Sequence, residues 1–200
     1  MKRAFDIIGA CFGFLLLSPF FILIALLIKW DSKGPVLFKQ ERLGRQFRPF
    51  IIYKFRTMRQ SSDHEGRLVT AGNDPRITRI GSILRQTKMD ETPQLLNVLK
   101  GDMSFVGPRP EVRRFVEQFR ADYQEILKVR PGITDLASLK YRDEASLLGR
   151  AIDPDAEYIN RVLPDKIKLA KEYIRLSSFV FDLKLIIRTL LKVFDYKMSA

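Results

Sequence analysis

The first sixty residues change their hydrophobic pattern twice. Residues 7–28 carry no charge, a run of 22 positions, or ~33 Å as a straight helix against a hydrocarbon core of ~30 Å. Short mixed runs follow at 36–40 and 50–56, and read as strands joined through a turn at Gly44. Residues 60–75 are polar with two glycines and read as a flexible loop. Helices are expected over 77–88, over 92–99 with a stop at Gly101, and over 112–128. Residues 130–150 read as irregular. A helical stretch over 155–176 contains Pro164, which marks a break or a helix start. The last helix, 178–194, places Phe179, Leu183, Ile186, Ile187, Leu190 and Phe194 on one face, with Lys184, Arg188 and Lys192 on another. That pattern suits either a helix packed on the core or one lying on anionic lipid.

The pattern predicts an α+β chain, mostly helical with a small β-hairpin. It divides into an apolar segment, residues 1–30, and a domain, residues 31–200, that ends in the amphipathic helix. The apolar segment resists the signal-peptide reading, because it is longer than an h-region and no small-residue cleavage site follows it. A single transmembrane span and a re-entrant helix both remain open. Ser18-Pro19 interrupts the run at its middle. Pro19 cannot donate to the Leu15 carbonyl, so the helix is expected to break there, with the Ser18 hydroxyl partly satisfying the freed group. Both flanks are basic: Lys2 and Arg3 before, Lys29, Lys33, Lys39 and Arg42 after. Positive flanks favour the cytoplasm, which a re-entrant path satisfies at both ends and a span at only one.

Charge narrows the partners. Thirty-five Lys and Arg against 23 Asp and Glu give +12, which suits nucleic acid, an anionic membrane or phosphorylated substrates. Nucleic acid is disfavoured, because it gives no reason for the apolar run and no aromatic-basic recognition motif appears. One cysteine, Cys11, and one histidine, His64, exclude an internal disulfide and a two-histidine metal site within the chain.

Two clusters carry candidate chemistry. Asp90-Glu91-Thr92-Pro93 has the composition of a helix cap. It also suits a pair of carboxylates that divide labour, one attacking phosphorus and the other holding Mg²⁺, with the helix dipole keeping the carboxylate ionised. Gly107-Pro108-Arg109-Pro110 is a stiff turn, or a stiff mount for a phosphate-binding guanidinium. With Arg42, Lys54, Arg56, Arg85, Arg130 and Arg142, these residues fit phosphoryl transfer better than acyl transfer. A phosphohydrolase of lipid phosphate or nucleotide sugar, or a non-enzymatic membrane protein, are the competing readings.

The motifs taken together resemble the bacterial sugar transferases, the monotopic polyprenyl-phosphate phosphoglycosyl transferases. The resemblance rests on Ser18-Pro19, Tyr53-Lys54-Phe55-Arg56-Thr57-Met58, Asp90-Glu91-Thr92-Pro93-Gln94-Leu95, Asn97 to Ser104, Gly107-Pro108-Arg109-Pro110 and Arg130-Pro131-Gly132-Ile133-Thr134. It implies a re-entrant membrane helix broken at Ser18 and Pro19, and an active site on the cytoplasmic face of the bacterial inner membrane. It implies transfer of a sugar 1-phosphate from a nucleoside diphosphate sugar, usually UDP-linked, to polyprenyl (undecaprenyl) phosphate, with release of UMP. Asp90 then matches the nucleophile and Glu91 its Mg²⁺-associated partner. Lys54, Arg85, Arg109 and Arg142 are expected around the phosphates. Membrane lipids are implied partners, and the apolar segment and last helix each offer a surface for a homodimer. Thr92 stands where Leu is common. Asp135 and Tyr141 stand where many members have glycine, so the local backbone is expected to differ there.

Overall fold

A computed structural model describes residues 1–59, 69–72 and 74–199, with side chains as far as Lys192. His64 and most of the 60–75 loop lie outside the described residues. Helix α1 (Lys2–Asp31) runs without interruption through Pro19, so the expected break at Ser18-Pro19 does not end the helix. The reason is local: the Ser18 hydroxyl donates to the Leu15 carbonyl at 2.8 Å, the group that Pro19 cannot serve.

Helix α1, about 45 Å long, is fastened to one body at both ends. At its start, Arg3 donates to the carbonyls of Val98 and Leu99, and Asp6 accepts from Ser104 and from the Phe105 amide. Lys2 bonds to Asp182, Tyr173 and the Val106 carbonyl. At its end, Asp31 accepts from the Ile80 amide, and Arg56 donates to Ser32 and the Ile28 carbonyl. Between them Phe14, Leu17 and Phe21 pack on Ile52, Leu95, Val98 and Met103. The opposite face, including Ile8, Leu15, Leu16, Ile22, Leu23, Leu26 and Trp30, is open.

Strands β1 (Leu37–Leu43) and β2 (Pro49–Phe55) form the expected hairpin, antiparallel with Phe38 opposite Lys54 and Arg42 opposite Phe50. The Gly44 turn closes on a Gly44 amide to Arg48 carbonyl bond. Gln46 and Phe47 both take left-handed backbone there. Helix α2 (Arg79–Gln86) is capped by the Thr78 hydroxyl. The expected 92–99 helix is a 3₁₀ turn, Met89–Gln94, that continues as α3 (Leu95–Lys100). Gly101, at φ +91, ends it as the sequence suggests.

Two further expectations fail. Residues 112–128 form two helices, α4 (Arg113–Gln118) and α5 (Arg120–Ile126), with Phe119 non-helical between them. No Gly or Pro there signals the interruption. Residues 130–150 are ordered, as strand β4 (Gly132–Thr134) and helices α6 (Leu136–Lys140) and α7 (Glu144–Gly149). β4 pairs in parallel with β3 (Ser104–Val106), a long-range pairing of two three-residue strands that no local pattern announces. Gly107 and Gly132 permit it: a Cβ at Gly132 would lie 2.1 Å from the Gly107 nitrogen.

Helix α8 (Pro154–Glu157) passes through a π turn, Tyr158–Val162, into α9 (Leu163–Leu176), where Pro164 sits in the first turn as a helix start. Helix α10 (Phe179–Ser199) closes the chain. The largest core gathers Val116, Leu148, Val162, Leu163 and their neighbours. α10 buries Leu185 and leaves Val180, Ile187, Leu190 and Leu191 open, so its apolar positions divide between core and exterior.

Candidate active site

The site forms where the hairpin meets the 3₁₀ turn. Lys88 takes left-handed backbone, φ +58, which stops α2 and turns the chain into Met89–Gln94. Asn97, fully buried, then stitches α3 to β2. Its side-chain oxygen accepts from the Tyr53 amide at 3.1 Å and its Nδ2 donates to the Ile51 carbonyl at 2.7 Å, as a neighbouring strand would. This holds Lys54 at a fixed distance from the Asp90-Glu91 pair.

Glu91 is a hub. Its Oε1 accepts from Lys54 Nζ and from Arg109 Nη2, each at 2.7 Å, and its Oε2 lies 3.4 Å from Arg109 Nη1. Burial opposes its ionisation, but Arg109 and Lys54 override it and hold the carboxyl well below its usual range. Arg109 is raised in turn, chiefly by Glu91. Lys54 is lowered by burial, against the pull of Glu91.

Asp90 behaves differently. It is 8 % exposed, its Oδ1 is buried with no hydrogen-bond partner, and it caps no helix: the residue at the cap position of its turn is Lys88. Burial first and Glu91 second push its carboxyl up, against the opposing charges of Lys54, Lys88 and Arg85. Burial thus works against the ionisation that the helix start was expected to favour. Arg85, anchored by Thr57 at 2.9 Å, contributes attraction from the α2 side.

Three of the four expected phosphate-binding cations, Lys54, Arg85 and Arg109, thus surround the carboxylate pair. Arg142 is placed elsewhere: its guanidinium donates to the Lys192 carbonyl on α10. Arg42 sits one layer back, bound to Gln40, to the Pro110 carbonyl and to Glu111. Arg56 serves the end of α1. Lys88 and the buried Gln94, whose Nε2 has no partner, are additions the sequence reading missed. Their signal was present, since both flank the carboxylate pair, but the helix expected over 77–88 absorbed Lys88.

The departures at 135 and 141 have a local account. Asp135 has φ −158 and Tyr141 φ −99, backbone that residues other than glycine adopt without strain. Asp135 accepts from the Ser138 amide as an N-cap and from the Arg109 amide at 3.1 Å, so it fixes the Pro108-Arg109-Pro110 segment. The Tyr141 hydroxyl donates to Asp165.

No group of three or more His, Cys, Asp or Glu side chains is arranged to hold a metal ion among the described residues. The idle Asp90 Oδ1 and the remaining lone pairs of Glu91 fit a hard cation supplied mainly with substrate phosphate and water oxygens, as Mg²⁺ is commonly bound.

An anionic pair ringed by cations, on a small domain bound along an apolar helix, has the charge pattern that phosphate groups complement. The chain belongs to the family described as bacterial sugar transferase, whose model matches residues 1–196. It is 40% identical over 195 residues to the UDP-N-acetylgalactosamine-undecaprenyl-phosphate N-acetylgalactosaminephosphotransferase of Aeromonas hydrophila, covering 95% of this chain and 43% of that protein. It is 38% identical to the UDP-glucose:undecaprenyl-phosphate glucose-1-phosphate transferase of Escherichia coli (strain K12), covering 100% of this chain and 41% of that one. It is 49% identical over 147 residues to the exopolysaccharide production protein PSS of Rhizobium leguminosarum bv. phaseoli, covering 70% and 74%. The chain thus spans less than half the length of the first two of these relatives.

Proposed function

We propose that the chain transfers a sugar 1-phosphate from a UDP-sugar to undecaprenyl phosphate, as the first membrane step of polysaccharide assembly. The observation that carries the reading is Asp90, a desolvated carboxylate with an idle oxygen amid Lys54, Lys88 and Arg85. The names of the relatives agree with it.

Asp90 Oδ1 attacks the phosphorus that bears the sugar. The bond from that phosphorus to the bridging oxygen breaks, and UMP leaves with the electron pair. An oxygen of undecaprenyl phosphate then attacks the same phosphorus and releases Asp90 unchanged. Glu91 stays ionised, holding Lys54 and Arg109 where negative charge develops on the phosphoryl oxygens. Mg²⁺ held by Glu91 and the donor's diphosphate would supply Lewis-acid stabilisation of the departing UMP.

Helix α1 sits at a membrane in this reading. Both of its ends are tied to one domain, which supports both flanks lying on the cytoplasmic face of the inner membrane, and Pro19 is the position at which a re-entrant path would bend. A straight crossing would carry one end away from its partners. The open faces of α1 and α10 then rest in lipid.

The test is UMP release from a panel of UDP-sugars with Mg²⁺ and no lipid acceptor, followed by intact-mass analysis. The expected result is a burst near one UMP per protein and a phosphosugar adduct that Asp90→Asn abolishes. Continuous UMP release without acceptor would mean a hydrolase. Full turnover by a clean Asp90→Asn preparation would sink the reading.

A further inference from the structure

One face of the hairpin carries Phe38, Gln40 and Arg42 opposite Lys54, Ile52 and Phe50. Ile52 on this face is buried, and Gln40, Arg42, Phe50 and Lys54 are partly buried. Phe38 is the exception. It is 45 % exposed although it stands directly across from Lys54, whose ammonium holds Glu91. Cross-strand neighbours have Cβ atoms about 5 Å apart, so this open ring borders the site itself.

The same face leads from the site to the apolar helix. Val36, two residues before Phe38 and about 7 Å along the strand, packs on the group formed by Ile24, Ile28, Phe55 and Leu84. The Val36 carbonyl accepts from the Arg56 amide, which extends the pairing beyond Leu37. Leu26 and Trp30, one turn apart at the end of α1, are exposed, Trp30 by 87 %. Phe38 therefore lies between the end of the apolar helix and the carboxylate pair, on the side where bilayer and site would meet.

We propose that Phe38 is a binding residue for the acceptor, its ring packing on the first isoprene units of the polyprenyl chain while the phosphate reaches Asp90. The proposal rests on the transferase reading above. A prenyl chain needs an apolar contact and no hydrogen bonds, which is what an open phenyl ring offers.

The full chain in detergent micelles, as wild type, Phe38→Ala and Phe38→Leu, separates the two half-reactions. Phe38→Ala is expected to leave the acceptor-free UMP burst and the donor KM unchanged and to raise the KM for undecaprenyl phosphate about tenfold. A large part of that is expected to return in Phe38→Leu, which keeps an apolar side chain. Thermal melts of the variants should match wild type, since the ring is largely outside the core. A slower burst or a raised donor KM, with the acceptor KM unmoved, would assign Phe38 to the donor and overturn the proposal. No change in either half-reaction would also overturn it. A missing burst in the wild-type chain would instead remove the transferase reading, and this proposal with it.

Discussion

Two aspartates stand at the starts of two short helical segments and have opposite fates. Asp135, before α6, spends Oδ1 on the Ser138 amide and Oδ2 on the Arg109 amide. Asp90, in the 3₁₀ turn before α3, has a buried Oδ1 bound to nothing. Both are nearly fully buried. A capping carboxylate recovers its desolvation cost through the amides it serves. An idle buried oxygen recovers no hydrogen bond within the chain, and such a group persists where something outside the fold completes it. Asp135 is thus a structural group that aims Arg109. Asp90 keeps an oxygen without a partner, the feature on which its proposed role as nucleophile rests.

The largest expected effect tests the Asp90 side. Asp90→Asn should lower the acceptor-free UMP burst by at least ~10³-fold, the scale on which removal of a nucleophile acts. It should leave the melting temperature unchanged or slightly higher, because a buried carboxylate becomes neutral. Calorimetry alongside the burst assay checks both halves. A large loss of stability would show that Asp90 caps after all and would erase the contrast.

Next is Arg109, whose backbone amide meets Asp135 and whose guanidinium meets Glu91. Arg109→Lys keeps the charge but loses the two-pronged contact with Glu91. The expected loss is roughly 10–100-fold in kcat, on the scale of a lost transition-state donor, with a smaller change in donor KM. Asp135→Ala should show the reverse of Asp90→Asn. It should cost about 1–2 kcal/mol of stability, the range for a lost N-cap, and reduce turnover less than Arg109→Lys does. Urea unfolding measures the first and steady-state rates the second.

The smallest effect is a pH shift. The proposed attack needs Asp90 ionised, and its carboxyl is raised, so the acid limb of the burst rate should lie above the ordinary aspartate value of 3.8. Glu91→Gln removes a neighbouring negative charge and should move that limb down, whatever it does to the maximum rate. Glu91 itself is held below its ordinary 4.5. Its contribution to stability is therefore present above about that pH and is lost as the pH falls through the lower folded value. An acid limb that stays at the ordinary aspartate value in wild type would contradict the desolvation of Asp90.

Local patterns were enough for much of this chain. The uncharged run gave α1, alternation around Gly44 gave the hairpin, Gly101 gave the end of α3, and Pro164 gave the start of α9. Each is a signal confined to a few neighbouring residues. The Asp90-Glu91 pair and the stiff Arg109 mount were visible as compositions with two meanings each. The β3–β4 pairing was not legible, because three-residue strands depend on a partner more than twenty residues away and on two glycine backbones that touch. The destination of Arg142 was equally hidden, since it depends on where α10 returns.

The sequence by itself determined that the chain has an apolar helix, a basic surface, and two carboxylates beside a rigid arginine. The tertiary structure decided which carboxylate is held and which is idle. That choice depends on Lys54 from β2 and Arg109 from beyond β3 reaching the same Glu91 oxygen, while the oxygen of Asp90 is enclosed without a donor. It also decided that both ends of α1 meet one domain. Adjacent residues of like chemistry differ only through the burial and partners that distant segments bring to them, and no local pattern encodes those.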